Sequence, residues 1–298
     1  MTIRPSFSIK DFKTLARSIS LIENDAEGYE DLLLNLKSSS AKIIGITGAP
    51  GAGKSSLVDA LIGEMIKDEK KVGVLCIDPS SPFNKGALLG DRIRMSEWYN
   101  HPGVFIRSLA SKGSLGGLHP KIIEISDVMK SSGFDFVIIE TVGVGQSEVD
   151  IAALADITVV MLVPESGDII QTMKAGLMEV ADIFVINKYD RPGAENLYNA
   201  LKQMTTPVSN KTSKQIPILK TIASAKEGVS ELYKKINEWN FDDKPEQKIN
   251  LITEKIWSII QNQKMKGIDK ENLESEIKES LSNPDFNMYV FAKKYEEN

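Results

Sequence analysis

The chain has 298 residues, enough for one large domain or two smaller ones. Its composition, 42% apolar and 26% charged, is that of an ordinary globular protein, and a net charge of −5 removes the electrostatic basis for broad nucleic-acid binding. One cysteine excludes an intramolecular disulfide framework and a multi-cysteine zinc site, and no apolar run approaches the roughly 20 residues of a membrane span. These features together predict a cytoplasmic protein with neither a nucleic-acid nor a membrane partner.

Residues 8–37 read as helices, because Phe12, Leu15, Ala16, Ile19 and Ile22 recur at three- and four-residue steps. Basic residues at helical spacing also occur in transit peptides. The acids Asp11, Glu23, Asp25 and Glu27 argue instead for an amphipathic helix of the mature protein, since transit peptides are poor in acids. Residues 1–40 are therefore expected to form an N-terminal helical arm.

From Ala41 the pattern alternates. Short β-branched runs stand at KIIGIT, VGVLCID, GVFIRS, FVIIET, ITVVMLV, DIFVIN and IPILKTIA, with helical patterns between most of them. Continuous apolar runs suit strands covered on both faces, and β/α alternation predicts an α/β fold with a doubly wound, mostly parallel sheet over residues 41–243. Such sheets bind ligands beyond the carboxyl ends of their strands. Past Trp239 the polar NFDDKPEQ contains the helix breaker Pro245, and residues 247–281 read as helices. Ile249, Ile252, Ile256, Ile259 and Ile260 form an apolar stripe there, which either packs on the main domain or mediates dimerisation. Residues 244–298 form this C-terminal extension.

The first strand leads into GAPGAGKSS. Gly48, Gly53, Lys54 and Ser55 match G-x-x-x-x-G-K-[ST] between a strand and a helix, the context that this phosphate-binding loop requires. Glycines let successive N–H groups curl around phosphate oxygens, and the helix N-terminus adds its positive dipole end. The expected cradle is Gly48, Ala49, Pro50, Gly51, Ala52, Gly53, Lys54, Ser55 and Ser56. Lys54 reaches the β- and γ-phosphates, and the Ser55 hydroxyl ligates Mg²⁺.

The strand FVIIE ends in Glu140, where an acid faces Mg²⁺ and a water as a Walker-B acid does. Ras-like GTPases have D-x-x-G-Q here. This chain reads Glu140, Thr141, Val142, Gly143, Val144, so valine occupies the position of the water-orienting glutamine, and Gln146 lies two residues on. Slow intrinsic hydrolysis, completed by something else, is the expectation. In CIDPSSPFNKGALLGDRIRM, Asp78 ends a strand and Asp91 follows in a Gly-, Pro- and Ser-rich loop beside Arg92 and Arg94. Two readings stay open: a solvated loop with ordinary ion pairs, or a switch segment whose carboxylates lie near Mg²⁺. In the second reading the arginines stabilise transition-state charge or pair with a partner.

DIFVINKYD then supplies Asn187, Lys188 and Asp190 in the N-K-x-D pattern of GTP-binding proteins. The Asp190 carboxylate can accept from both N1–H and the 2-amino group of guanine, a donor pair that adenine lacks. Ser224, Ala225 and Lys226 in TIASAKEGV are similar to the second base-contacting loop of GTPases.

Several stretches together resemble MeaB/ArgK-type GTPases: LARSISLIEN, GITGAPGAGKSSLVDAL, IDPSSPFNKGALLGDRIRM, FIRSLASKGSLGGL, IIETVGVGQSEVD, KAGLMEVADIFVINKYDRPGA and TIASAKEGV. These are G-protein chaperones of adenosylcobalamin-dependent methylmalonyl-CoA mutase and related acyl-CoA mutases. The resemblance is close over residues ~10–240, by motif order, and weaker after Pro245. It implies a GTPase domain, a C-terminal extension used for homodimerisation, and GTP/GDP and Mg²⁺ as ligands. It implies that Asp78, Asp91 and Glu140 are Mg²⁺- and switch-linked acids, with Lys54, Glu140 and Asp91 catalytic. Lys174 would lie in an additional switch that responds to the mutase. The implied function is to gate cofactor loading and protect the mutase.

A transport-system kinase is an older label for such chains, but nothing here looks like a phosphoacceptor site. A metallochaperone GTPase of the hydrogenase or urease maturation type is the other alternative. It would need Cys/His ligands, and only Cys76, His101 and His119 are present. Cys76 lies in an apolar strand and reads as core.

Overall fold

The computed structural model describes residues 12–78, 95–111, 118–141, 147–165, 177–212, 216–240, 245–265, 270–281, 287–292 and 295. The chain divides into two units, Met1–Lys244 and Pro245–Asn298.

In the first unit the seven apolar runs become seven strands: β1 (Lys42–Gly48), β2 (Val72–Asp78), β3 (Val104–Ala110), β4 (Phe136–Glu140), β5 (Ile157–Leu162), β6 (Ile183–Ile186) and β7 (Ile218–Lys220). They form one sheet in the order β3-β2-β4-β1-β5-β6-β7, and every pairing is parallel. Helices α1 (Phe12–Glu23) and α2 (Tyr29–Leu34) precede the sheet. α3 (Lys54–Lys67), α4 (Ile122–Ser131), α5 (Ser147–Leu154), α6 (Leu177–Val180), α7 (Ala194–Thr212) and α8 (Val229–Asn237) connect or follow its strands. The sheet is thus the expected doubly wound α/β type. The strand order turns back at β1, with β2, β3 and β4 on one side and β5, β6 and β7 on the other, so the phosphate loop lies at the switch point where such sheets take ligands.

Alternate residues of a strand point to opposite faces. On β1, Ile44 and Ile46 join one core cluster with Leu57, Val58, Leu61, Ile62 and Met65 of α3 and Leu232 and Ile236 of α8. Burying each of these side chains is worth roughly 1.5–3 kcal/mol. The cluster holds α3, and so the phosphate loop ahead of it, rigidly on the sheet.

Three aspartates order the strand entrances. Asp156, just before β5, accepts the Ile43 N–H at 2.8 Å and returns its own N–H to the Ile43 carbonyl at 2.9 Å. Asp182, before β6, does the same with Thr158, and Asp135, before β4, with Lys71. Each ring satisfies a backbone N–H that the parallel ladder leaves unpaired at the amino end of a neighbouring strand.

Local hydrogen bonds set the bounds of the N-terminal helices and of the last strand. The N-terminal helical stretch is broken after Glu23: Asn24 Nδ2 hydrogen-bonds the Ser20 carbonyl at 2.8 Å and Asp25 adopts φ +48°. α1 is held to the sheet by Phe12 against Phe105 and by Arg107, which donates to Glu23 at 2.9 Å. The run IPILKTIA yields only three strand residues, because past Thr221 the Ala223 N–H goes to Asn187 Oδ1 and Ile222 bridges to Glu227.

The second unit contains α9 (Pro245–Lys264), α10 (Lys270–Ser280) and α11 (Met288–Ala292). On α9, Ile249, Ile252, Ile256, Trp257, Ile259 and Ile260 are all exposed. Among the described residues no helix is long and apolar enough to cross a membrane.

Candidate nucleotide site

The loop after β1 has the conformation that its glycines permit. A Cβ on Gly48 (φ +143°) would lie 2.3 Å from the Met161 carbonyl oxygen, and one on Gly53 (φ +92°) 2.5 Å from Asn187 Nδ2. No larger residue fits either position without moving β5 or the loop after β6. Gly53 caps α3, whose first turn carries no acid, so the positive end of the helix faces the loop unopposed. The Lys54 ammonium is buried and folds back to donate to the Gly48 carbonyl at 2.8 Å and the Ala49 carbonyl at 3.2 Å. Ala49, Pro50 and Gly51 form the exposed crest, Ala52 is buried beneath it, and Ser56 continues the first turn of α3.

Ser55 donates to Glu140 Oε1 at 2.8 Å, and both side chains are buried. Glu140 ends β4 opposite Cys76 of β2, and the buried Asp78 lies two residues farther along β2. The ends of β1 and β4 are also joined side chain to side chain, Thr141 Oγ1 to Thr47 Oγ1 at 2.9 Å. A hydroxyl and two carboxylates at one end of the sheet form an oxygen donor set of the kind that Mg²⁺ selects.

Asn187 knits three loops together. Its Nδ2 donates to the Ala52 carbonyl at 2.8 Å, while its Oδ1 accepts from Thr221 Oγ1 at 3.1 Å and from the Ala223 N–H at 3.0 Å. The Tyr189 N–H adds a bond to the Thr221 carbonyl at 3.1 Å. Lys188 and Lys226 both adopt left-handed φ, +54° and +59°, which turns their loops sharply. Asp190, Ser224, Ala225 and Lys226 are exposed above this buried knot. The loops after β1, β6 and β7 therefore share one scaffold.

Asp91, Arg92, Arg94, Val144, Gln146 and Lys174 lie outside the described residues. Thr221, Thr47 and Thr141 were not singled out by sequence reasoning, although Thr221 stands three residues before Ser224 in the motif. Trp98 was also missed. It follows a buried Met95, and its indole N–H donates to Asp59 Oδ1 of α3 at 2.8 Å. Burial pushes the Asp59 carboxyl above its ordinary range, with the Trp98 hydrogen bond working against that. Cys76 is buried in the core, and no group of three His, Cys, Asp or Glu side chains among the described residues could hold a metal.

Against known proteins, residues 15–270 match the family model described as methylmalonyl Co-A mutase-associated GTPase MeaB. The chain belongs to the MeaB family. It is a GTPase built on the P-loop fold. A GTPase of Pyrococcus abyssi is 48% identical over 233 residues, 76% of this chain and 72% of the relative. The fused isobutyryl-CoA mutase of Geobacillus kaustophilus is 36% identical over 229 residues, 72% of this chain but 21% of that longer one. A crystal structure of a LAO/AO transport system kinase shares the fold, with a TM-score of 0.62 at 23% identity over 96% of this chain and 92% of that one. This MeaB-family chain thus has a relative in which such a domain is fused to an acyl-CoA mutase.

Proposed function

We propose that this GTPase is the chaperone of an adenosylcobalamin-dependent acyl-CoA mutase, gating cofactor loading and protecting the mutase at the expense of GTP. The carrying observation is the match to a segment of a fused isobutyryl-CoA mutase, where a homologous domain and a mutase are one chain. In this reading the protein works in the cytoplasm as a homodimer, with residues 1–40 as an arm, 41–243 as the GTPase domain and 244–298 as the dimerising extension.

The loop from Gly48 to Ser56 cradles the phosphates with its N–H groups. Nucleotide binding draws Lys54 from the Gly48 and Ala49 carbonyls to the phosphate oxygens. Ser55, Glu140 and Asp78, all buried at the strand ends, would hold Mg²⁺, which supplies neutralising charge at the β- and γ-oxygens. The Ser55–Glu140 hydrogen bond supports that fit, because it already aims both oxygens into one place. Base choice lies with the other two loops: Asp190 accepts from guanine, Asn187 and Lys188 shape its loop, and Ser224, Ala225 and Lys226 close over the base. Asp91, Arg92, Arg94, Gln146 and Lys174 are assigned to switches by resemblance.

Valine at position 144 leaves the attacking water without its usual glutamine, so basal turnover is slow and the mutase completes the site. Ordering a water and placing a cation contribute on the order of 10²–10⁵ in rate. Steady-state GTP turnover with and without purified candidate mutases tests this. Stimulation is expected. Its absence with every acyl-CoA mutase of the source organism removes the chaperone reading and leaves the GTPase standing.

A further inference from the structure

Asp190 sits on a short loop between β6 and α7, and the residues on either side of it are latched in opposite directions. Beyond it, the Arg191 N–H closes a turn on the Lys188 carbonyl at 3.0 Å, and the Arg191 guanidinium pairs with Glu165, three residues past β5. Before it, the Tyr189 hydroxyl donates to Glu195. Lys220 on edge strand β7 lies 3.3 Å from the same carboxylate. The Lys220 ammonium also stands 4.5 Å from the Tyr189 ring centroid and 4.1 Å from that of Tyr198. The loop is thus tied to β5 on one side and to β7 on the other. Glu165, Arg191, Glu195, Tyr198 and Lys220 all lie outside the N-K-x-D pattern itself.

A carboxylate that must accept two hydrogen bonds from one base edge has to be held within about 0.5 Å and 10–20° of its productive pose. The Asn187 knot fixes the start of the loop but lies three residues before Asp190. The Glu165–Arg191 pair acts at the next residue. The geometry points to Glu165, acting through Arg191, as a positioning residue that aims Asp190 at the guanine 2-amino edge. This rests on the guanine assignment of Asp190. Glu165 is half exposed, and the Arg191 hydrogen bond holds its carboxyl below the usual range, so the pair stays charged under neutral conditions. An exposed pair of this kind contributes little to folding. The positioning role therefore predicts an effect on base discrimination and little on stability.

Inosine diphosphate separates the two. Hypoxanthine keeps N1–H and lacks the 2-amino group, so the ratio of GDP to IDP affinity reads the second hydrogen bond to Asp190. In titrations of the full chain, Glu165→Gln is expected to lower that ratio about two- to five-fold, the range that an exposed pair can supply. The charge swap, Glu165→Arg with Arg191→Glu, should restore it, and the restored ratio should weaken with added salt. Asp190→Asn serves as the control and should abolish the preference for GDP. If Glu165→Gln weakens both nucleotides equally, or changes neither, while Asp190→Asn abolishes the preference, the positioning role is overturned and the guanine reading survives. If Asp190→Asn leaves the ratio intact, the guanine reading itself falls, and this inference with it.

Discussion

Lys54 shows how a single side chain is prepared for charge that arrives from outside. Its ammonium is nearly sealed from water and is held by two loop carbonyls, those of Gly48 and Ala49, at 2.8 and 3.2 Å. Both acceptors belong to the loop that receives phosphate, so the cation is stored at its place of use and no side-chain search is needed. Removing it leaves the loop dipoles but deletes the only full positive charge that the motif supplies. Lys54→Ala should lower GTP turnover at least ~100-fold, the size expected for one preorganised electrostatic contact in a water-poor site. Single-turnover hydrolysis under saturating GTP measures it, and near-normal rates in the variant would remove the phosphate-loop assignment. Lys54 and Asp190 could be singled out in the sequence because phosphate-loop and guanine motifs each admit few side-chain types at fixed spacings. Thr221, Trp98 and Glu165 could not. Their roles depend on partners brought together by the sheet: Asn187 for Thr221, Asp59 for Trp98, Arg191 for Glu165.

Among elements, the repeated device is the aspartate at the head of a strand. Asp135, Asp156 and Asp182 each close a reciprocal pair with a neighbouring strand, one bond by carboxylate and one by backbone. The strands themselves were visible as apolar runs. The aspartates read only as punctuation, because nothing in FDF or ADI says which strand lies alongside. Asp156 acts at β1, the strand that carries the phosphate loop, and its partner Ile43 is buried. Asp156→Ala leaves the Ile43 N–H without its carboxylate and should cost about 1–3 kcal/mol, the usual penalty for a hydrogen bond to a charged group left unmade. Asp156→Asn keeps an acceptor oxygen and should cost much less. Urea unfolding of the two variants separates them, and equal losses would mean that packing rather than the hydrogen bond sets the strand entrance. The same logic explains the short β7. Its run was long enough in sequence for a full strand, but the Ala223 N–H goes to the Asn187 side chain and Ile222 bridges to Glu227, so the ladder stops.

At the scale of the whole molecule, β/α alternation made the first unit readable from sequence, whereas the second has no such rhythm. What the second unit does carry is an apolar face on α9. Ile249, Ile252, Ile256 and Ile260 recur at three- and four-residue steps with Trp257 beside them, all between 42% and 60% exposed. An apolar stripe of this length on a helix needs a covering surface. In the proposed homodimer its occupant is the same stripe of a second copy, so each position is buried once in either copy. Burying an isoleucine is worth roughly 1.5–3 kcal/mol, and a symmetric interface counts each position twice. Ile256→Asp combined with Ile260→Asp removes four such burials and places four carboxylates in the contact. Dimer affinity should then fall at least about a thousandfold. Sedimentation equilibrium of the wild type and the double variant reads this directly, with circular dichroism to show that α9 remains helical. A dimeric wild type and a monomeric variant are expected. A wild type that stays monomeric, or a variant that dimerises as well as the wild type, places the stripe elsewhere than in a two-fold interface.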